Sequence, residues 1–242
     1  MFLLLRRIHL LLFMLWVCIF FLLLYPFYYL FSISPKGYYA FNICRKINSY
    51  MPTLLSGIFF NFKYEKYLDS NKTYIYCANH VSNLDIMYLS MIGKGRFHFM
   101  GKQELLTHPI LSIFFKSIDV PVDRSSRMSS FRAFMRAGEN LKTGMDLIIF
   151  PEGRIDDVYP PKLQEFKSGP IRLALQLQIP IVPISSVNLW KIMWDDGFKF
   201  GSRPGIADIY VHAPIEPVVF EGWDEDQLKA FVYEKIKSKI NS

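Results

Sequence analysis

A histidine and an aspartate five residues apart follow a short apolar run, in the segment CANHVSNLD that covers residues 77–85. The run TYIYC before them predicts a buried strand, and Asp85 falls where the first turn of the next helix is expected. From that turn the carboxylate can reach back to the His80 imidazole and fix its tautomer, as a general base requires. The same residues also fit a capping box, with Ser82 as cap and Asp85 at the third helical position.

A second polar turn, Pro151-Glu152-Gly153-Arg154, follows the strand pattern DLIIF at 146–150. Proline and glycine around a carboxylate and a guanidinium indicate a rigid turn that presents both groups at the end of a strand. The planar fork of Arg154 suits a phosphate. The alternative is a surface turn with an incidental ion pair.

Two further cations come after strand patterns. Lys102 follows the run at 96–100, and Arg124 follows the run at 118–122. Each alone is typical of a solvated charge. Together with Arg154 they place three cations after three strands, which predicts a pocket for one anionic head group.

Other kinds of site are excluded by their missing signatures. The sequence has no GxSxG elbow, no GxxxxGK[ST] loop and no GxGxxG fingerprint. The five histidines show no HExxH spacing, and the three cysteines show no CxxC pair, so we predict no metal site. The nearest thiol, Cys77, falls at the end of a buried strand, so His80 is expected to activate a substrate hydroxyl.

The elements that must position these residues alternate between strand and helix. Short apolar runs typical of buried strands cover 73–77, 96–100, 118–122, 146–150, 181–184 and 207–212. Helical periodicity covers 130–142 and 169–178, and a last helix opens at Asp224. This alternation predicts an α/β fold with a mostly parallel sheet flanked by helices.

The N-terminal end carries an apolar run, Leu10–Phe31, with no charged residue over 22 positions. This length predicts a membrane-anchoring helix. A cleaved signal peptide is the alternative, but the run exceeds a usual signal core and no small-residue cleavage pattern follows it. A second, weaker apolar stretch, Ile47–Phe62, is interpreted as lying in the membrane interface or pairing with the first helix. We therefore divide the chain into a membrane-anchoring segment, 1–64, and a catalytic domain, 65–242.

The positive charge of the chain also concentrates in that first segment. The chain has a net charge of +7, and residues 1–64 contain six basic side chains and no acidic one. A basic, aromatic-rich segment beside an apolar run suits an anionic membrane surface and gives no broad nucleic-acid footprint.

Four of these segments, in order, resemble the motifs of the lysophospholipid acyltransferase family, and within it the bacterial 1-acyl-sn-glycerol-3-phosphate acyltransferases. The matching segments are 80–85, then 102–105 with 122–124, then 150–153, and 181–184. The resemblance covers residues 74–184. One departure is that Arg154 directly follows Gly153, where family members often place a threonine before the arginine.

The resemblance implies a glycerol-3-phosphate acyltransferase-like fold and acyl transfer from acyl-CoA or acyl carrier protein to 1-acyl-sn-glycerol-3-phosphate, giving phosphatidic acid. It implies His80 and Asp85 as catalytic residues. The substrate-binding residues that it implies are Lys102, Arg124, Glu152, Gly153 and Arg154. The implied partners are membrane lipid, the acceptor and the thioester donor, with no metal, no bound cofactor and no nucleic acid. The expected location is the cell membrane, with the catalytic domain facing the cytoplasm.

Three alternatives stay open at this point. The acceptor could be another lysophospholipid or an acyl-amino-acid lipid. The chain could be a lipid-binding membrane protein without catalysis, or a hydrolase that uses His80 and Asp85 as metal ligands.

Overall fold

The computed structural model describes residues 2–123, 125–195 and 197–240. Within these ranges the strands are β1 Ile58–Tyr64, β2 Ile75–Ala78, β3 Phe97–Lys102, β4 Val120–Val122, β5 Asp146–Ile149, β6 Ile181–Ser186 and β7 Gly205–Val211. The α-helices are α1 Phe2–Ser32, α2 Tyr38–Leu55, α3 Asp85–Ile92, α4 Ser112–Phe115, α5 Arg127–Lys142, α6 Gly169–Leu177 and α7 Glu225–Ile240.

The strands form one mixed sheet with the order β1-β7-β6-β2-β5-β3-β4. Neighbouring strands are parallel except β6 and β7, which are antiparallel. The predicted α/β fold with a mostly parallel sheet is confirmed, and each predicted strand corresponds to one of β2–β7. Because β2, β5, β3 and β4 run the same way, their carboxyl ends meet at one edge of the sheet, which we call the carboxyl edge.

Helices cover both faces of this sheet, because alternate strand residues point to opposite sides. Tyr76 and Ile148 belong to the apolar cluster that α1 and α3 complete on one face. Cys77 and Ile149 belong to the cluster formed with α5, α6 and α7 on the other face. The sheet is therefore buried on both sides and holds the segments at its carboxyl edge on a rigid base.

The interpretation of Ile47–Phe62 as one interfacial stretch is wrong for its second half. Helix α2 ends at Leu55, and strand β1 pairs with β7 as part of the sheet. Gly57 separates them in the left-handed region, at φ +66, which glycine adopts without strain. The division of the chain between residues 64 and 65 stays a prediction, and β1 lies on its N-terminal side.

Helix α1 packs along the domain over its whole length and pairs with α2. Near its beginning Leu10 and Phe13 join the core cluster of the sheet, and near its end Tyr28 packs against Phe41 and Phe114. Its other face exposes large apolar side chains. In the described part of the chain, α1 is the one helix long and apolar enough to cross a membrane.

A buried ion pair ties α2 to the sheet. Arg45 donates to the Asp119 carboxylate at 2.9 Å, with both side chains almost fully buried. The other Asp119 oxygen accepts from the Phe99 backbone N–H at 2.9 Å, and the guanidinium lies 4.6 Å from the Phe114 ring centroid. The pair joins the helical segment to β3 and to the chain entering β4.

Replacing this arginine is expected to destabilise the whole domain. Arg45→Met leaves the Asp119 carboxylate buried without its charge partner, which typically costs about 3–5 kcal/mol. We expect the free energy of unfolding, measured by denaturant titration in detergent, to fall by that amount. Lys142→Met, which removes an exposed pair with Glu139, is the control and should change it by less than about 1 kcal/mol. Equal effects of the two substitutions would contradict the role of the buried pair.

Candidate active site

The turn after β2 holds the histidine and the aspartate in direct contact. His80 Nδ1 lies 2.9 Å from Asp85 Oδ2. The same oxygen accepts from the backbone N–H groups of Val81 at 2.8 Å and Ser82 at 2.9 Å. Asp85 is the first residue of α3 and fully buried, so its carboxylate is fixed by the turn that it closes. The predicted reach of Asp85 back to the imidazole is confirmed.

This contact sets the tautomer of His80. A carboxylate that already accepts two N–H groups acts as an acceptor toward the ring too, so Nδ1 carries the hydrogen and Nε2 keeps its lone pair. The side chain of His80 is 15% exposed, and in the described part of the chain no group hydrogen-bonds Nε2. The available nitrogen can therefore take a proton from a substrate.

The predicted capping box is wrong in its register. Helix α3 begins at Asp85, its N-cap residue is Leu84, and no side chain caps it, so Asp85 is not at the third helical position. Ser82 Oγ accepts from the Leu84 N–H at 3.0 Å, while Asp85 Oδ2 accepts from the Ser82 N–H, and these two hydrogen bonds close the turn before the helix. They hold the carboxylate beside the imidazole.

Glu152 holds this turn from the neighbouring strand. One of its oxygens accepts from the His80 backbone N–H at 2.7 Å, and the other accepts from the Gln164 N–H at 2.6 Å. Burial raises the pKa of its carboxyl to about 7, against the opposing effect of these two hydrogen bonds, and the nearby charge of Asp85 adds to the rise. Glu152 therefore positions His80 and the loop after β5, and its predicted place around the substrate stays a prediction.

Removing the charge of Glu152 is expected to weaken its hydrogen bonds to the backbone N–H groups of His80 and Gln164. In Glu152→Gln one amide oxygen remains to accept, so one of two backbone N–H groups is left buried without a partner, a loss of about 1–3 kcal/mol in unfolding free energy. Because His80 is then held less firmly, kcat for the expected acyl transfer should also fall. Glu165→Gln, on an exposed glutamate of the same loop, is the matched control. Equal stability and kcat in both variants would contradict the positioning role.

Two residues of the site carry no role in the sequence analysis. Phe150 stacks on the His80 ring, with centroids 3.8 Å apart and planes 10° from parallel. The Asn79 side chain accepts from the Ser186 N–H at 2.7 Å and donates to the Ser186 carbonyl at 3.0 Å, so it joins the ends of β2 and β6. The available signal was their place at the ends of predicted strands, since Phe150 is the last residue of the run 146–150 and Asn79 lies two residues after the run 73–77.

Of the predicted cations, the structure describes Lys102 and Arg154, which follow strands at the same edge, and neither is hydrogen-bonded to His80 or Asp85. Register aligns Tyr76 of β2 with Ile148 of β5, and Ile148 with Phe99 of β3. Lys102 ends β3 and is exposed, two strand positions from the end of β2, or about 10 Å at roughly 4.8 Å per strand. Arg124 lies outside the described residues.

Arg154 and Gly153 complete the turn after β5. The Arg154 side chain is 60% exposed and lies 3.7 Å from the Asp157 carboxylate, a surface pair that leaves the guanidinium accessible to solvent and ligands. Gly153 has φ +78, in the region that favours glycine, and its N–H donates to the Phe150 carbonyl at 3.0 Å. The tight turn carries Glu152 toward His80 while Arg154 points outward.

In the described part of the chain, no nucleophilic side chain is hydrogen-bonded to His80 Nε2. Cys77 lies within β2, fully buried, and burial raises the pKa of its thiol to about 12. Among the residues that the structure describes, no three His, Cys, Asp or Glu side chains group as metal ligands. The geometry therefore fits a base that acts on a bound hydroxyl.

The part of the chain that holds these residues is similar in sequence to known acyltransferases. The profile of the acyltransferase family matches residues 59–187, a range that contains every candidate site residue. An uncharacterised acyltransferase of Schizosaccharomyces pombe is 31% identical over 72% of this chain and 62% of its own length. A chloroplastic 1-acyl-sn-glycerol-3-phosphate acyltransferase of Arabidopsis thaliana is 32% identical over 58% of this chain and 39% of its own length.

The fold also matches a solved structure. The crystal structure of the 1-acyl-sn-glycerophosphate (LPA) acyltransferase from Thermotoga maritima superposes with a TM-score of 0.76, at 23% identity, over 98% of this chain and 96% of that one. The chain spans less than two thirds of the length of the two curated relatives described above. The match of the family profile, which covers more than half of the chain, identifies the family.

Proposed function

Because this chain belongs to the acyltransferase family, we propose that it transfers an acyl chain from a thioester to the free hydroxyl of 1-acyl-sn-glycerol-3-phosphate, giving phosphatidic acid. The observation that carries this proposal is the contact of 2.9 Å between His80 Nδ1 and Asp85 Oδ2, which leaves Nε2 as the base. Relatives named as 1-acyl-sn-glycerol-3-phosphate acyltransferases support the choice of acceptor. The thioester donor is acyl-CoA or acyl carrier protein.

In the reaction, His80 Nε2 removes the proton of the acceptor hydroxyl as its oxygen attacks the thioester carbonyl carbon. The tetrahedral intermediate expels the thiolate, which takes the proton back from the imidazolium. Asp85 stabilises the imidazolium between these two steps. General-base help of this kind contributes about 10²- to 10⁴-fold in rate. Holding both amphiphilic substrates at one membrane surface adds a further contribution through proximity.

The phosphate of the acceptor binds to the cations at the carboxyl edge in this proposal. Lys102 and Arg154 are exposed there, and Arg124 follows β4, the next strand along. Arg154 presents a fork for two phosphate oxygens, and Lys102 a point charge. The Glu152-Gly153 turn shapes the floor beneath them. A thioester is already an activated acyl group, so no metal or bound cofactor is part of the proposed reaction.

The membrane holds the protein through its first helix. Both ends of α1 contact the domain, at Leu10 and at Tyr28, so we place the helix along the membrane surface with its exposed leucines in lipid. Because thioester donors are cytosolic, the domain faces the cytoplasm at the cell membrane. This arrangement brings the carboxyl edge to the surface where the acceptor resides.

The test is an acyl-transfer assay on membranes that contain the protein, with labelled acyl-CoA. Lysophosphatidic acid and lysophosphatidylcholine are offered side by side, since the first carries a phosphate monoester and the second a zwitterionic diester. Phosphatidic acid as the main product supports the proposal. Product from lysophosphatidylcholine alone would keep the base and overturn the assignment of the cations. Lack of product from both acceptors, with acyl-CoA and with acyl carrier protein, would overturn the activity itself.

A further inference from the structure

A second group of cations lines a cavity beside the segment that joins β6 to β7. The cavity measures about 710 Å³ and lies between the first turns of α1 and residues 190–191 and 202–204 of that segment. Arg6, Lys191 and Arg203 line it together with the aromatic side chains of Tyr159 and Trp190. We call it the cationic cleft.

The described residues that line the cleft include three cations and no acidic side chain. The ion pairs of the described residues involve none of Arg6, Lys191 and Arg203. The segment between β6 and β7 also contains Asp195 and Asp196, of which Asp196 lies outside the described residues. Arg203 Nε donates to the Lys191 carbonyl at 2.9 Å, which fixes its guanidinium at the rim. Three cations held together in a concave site attract a ligand with several negative charges.

The wall that α1 contributes is firmly attached. The Ser202 N–H donates to the Arg6 carbonyl at 3.0 Å, and the His9 ring lies between Ser202 Oγ at 2.6 Å and the Ser56 carbonyl at 2.8 Å. Gly201 has φ +67, and a Cβ there would lie 2.6 Å from the Arg6 backbone, so this close approach requires glycine. The cleft is therefore formed before any ligand binds.

Lys191 and Arg203 come after β6, which lies on one side of β2, whereas Lys102 ends β3 on the other side. Tyr159 belongs to the loop after β5, which also carries Arg154. The segment between β6 and β7 reaches the dyad turn, because the Asn83 N–H donates to the Asp195 carbonyl at 3.1 Å. Acyl transfer needs two ligands that meet at one imidazole, so two anionic ligands are best held on opposite sides of it.

We propose that the cationic cleft binds the phosphate groups of an acyl-CoA donor. This inference rests on the proposed function. Three spaced cations match the several phosphates of this donor, and the Tyr159 and Trp190 rings supply an apolar wall for its adenine. A concave site of about 710 Å³ is large enough for a nucleotide.

The test compares donor kinetics in the parent and in Lys191→Gln/Arg203→Gln, in membranes with lysophosphatidic acid as acceptor. We expect the KM for acyl-CoA to rise about tenfold or more, with kcat and the acceptor KM unchanged. Donor that lacks the 3′-phosphate should raise the KM of the parent and have a smaller effect on the variant. Lys142→Gln/Lys237→Gln, which removes the same charge at exposed positions far along α5 and α7, should leave every constant unchanged.

The outcomes separate this inference from the proposed function. An unchanged KM for acyl-CoA in the variant, while phosphatidic acid still forms, overturns the inference alone. Weaker sedimentation of the variant with phosphatidylglycerol vesicles at unchanged KM assigns the cleft to a lipid head group and overturns it too. Activity of the parent with acyl carrier protein but not with acyl-CoA overturns the nucleotide assignment. A parent that is inactive with every donor overturns the proposed function and this inference with it.

Discussion

The variant His80→Ala is expected to lose about 10²- to 10⁴-fold in kcat for acyl transfer, with its fold intact. The ring nitrogen Nε2 is the base in the proposed reaction, and an alanine methyl cannot replace it. The imidazole is partly exposed and stacks on Phe150, so its removal leaves a space at the surface of the site. The buried Asp85 carboxylate loses one hydrogen-bond donor but keeps the N–H groups of Val81 and Ser82. Phosphatidic acid formation from labelled acyl-CoA measures the loss.

A folding defect would imitate this loss, so two controls accompany it. The thermal midpoint of His80→Ala in detergent should match that of the parent within a few degrees. His108→Gln alters an exposed histidine in the segment after β3 and should keep near-normal activity. Retention of more than about a tenth of the parent kcat by folded His80→Ala would exclude His80 as the base.

The part of the site that sequence could predict is local in the chain. His80 and Asp85 are five residues apart, and a strand end followed by a helix start brings them together whatever the rest of the fold does. Four of the strands at the carboxyl edge were also predictable, because each is a short apolar run followed by a polar turn. Because parallel strands end at the same edge of a sheet, the sequence also predicted that Lys102, Arg124 and Arg154, which follow such strands, would share that edge.

The remaining contacts depend on the order of strands, which periodicity does not contain. Glu152 accepts from the His80 N–H across 72 residues only because β5 lies beside β2. Arg6 and Arg203 line one cleft because α1 packs against the segment before β7, where the Ser202 N–H donates to the Arg6 carbonyl. Strand β1 was missed for a different reason: its aromatic residues continue the apolar run of α2, and the break at Gly57 is a single residue.

Asp85→Asn is the second large expected effect, with kcat lowered by about 10²- to 10⁴-fold. The amide oxygen can take the place of Oδ2 and keep its three hydrogen bonds, from the Val81 and Ser82 N–H groups and from His80 Nδ1. The tautomer of His80 is then unchanged, but the neutral amide no longer stabilises the imidazolium that forms when Nε2 takes the proton. Activity and thermal midpoint are measured as for His80→Ala.

Asp226→Asn is the matched control, because Asp226 lies in the first turn of α7 as Asp85 lies in the first turn of α3. An acidic residue there interacts with the helix dipole, which is worth about 0.3–1 kcal/mol, and its loss should leave kcat unchanged. If Asp85 acted only as a cap, the two variants would behave alike.

If Asp85 acts through His80, the double variant His80→Ala/Asp85→Asn should be hardly slower than His80→Ala, because residues that work as a unit are not additive. Multiplication of the two losses in the double variant would show that Asp85 acts on the reaction independently of the imidazole.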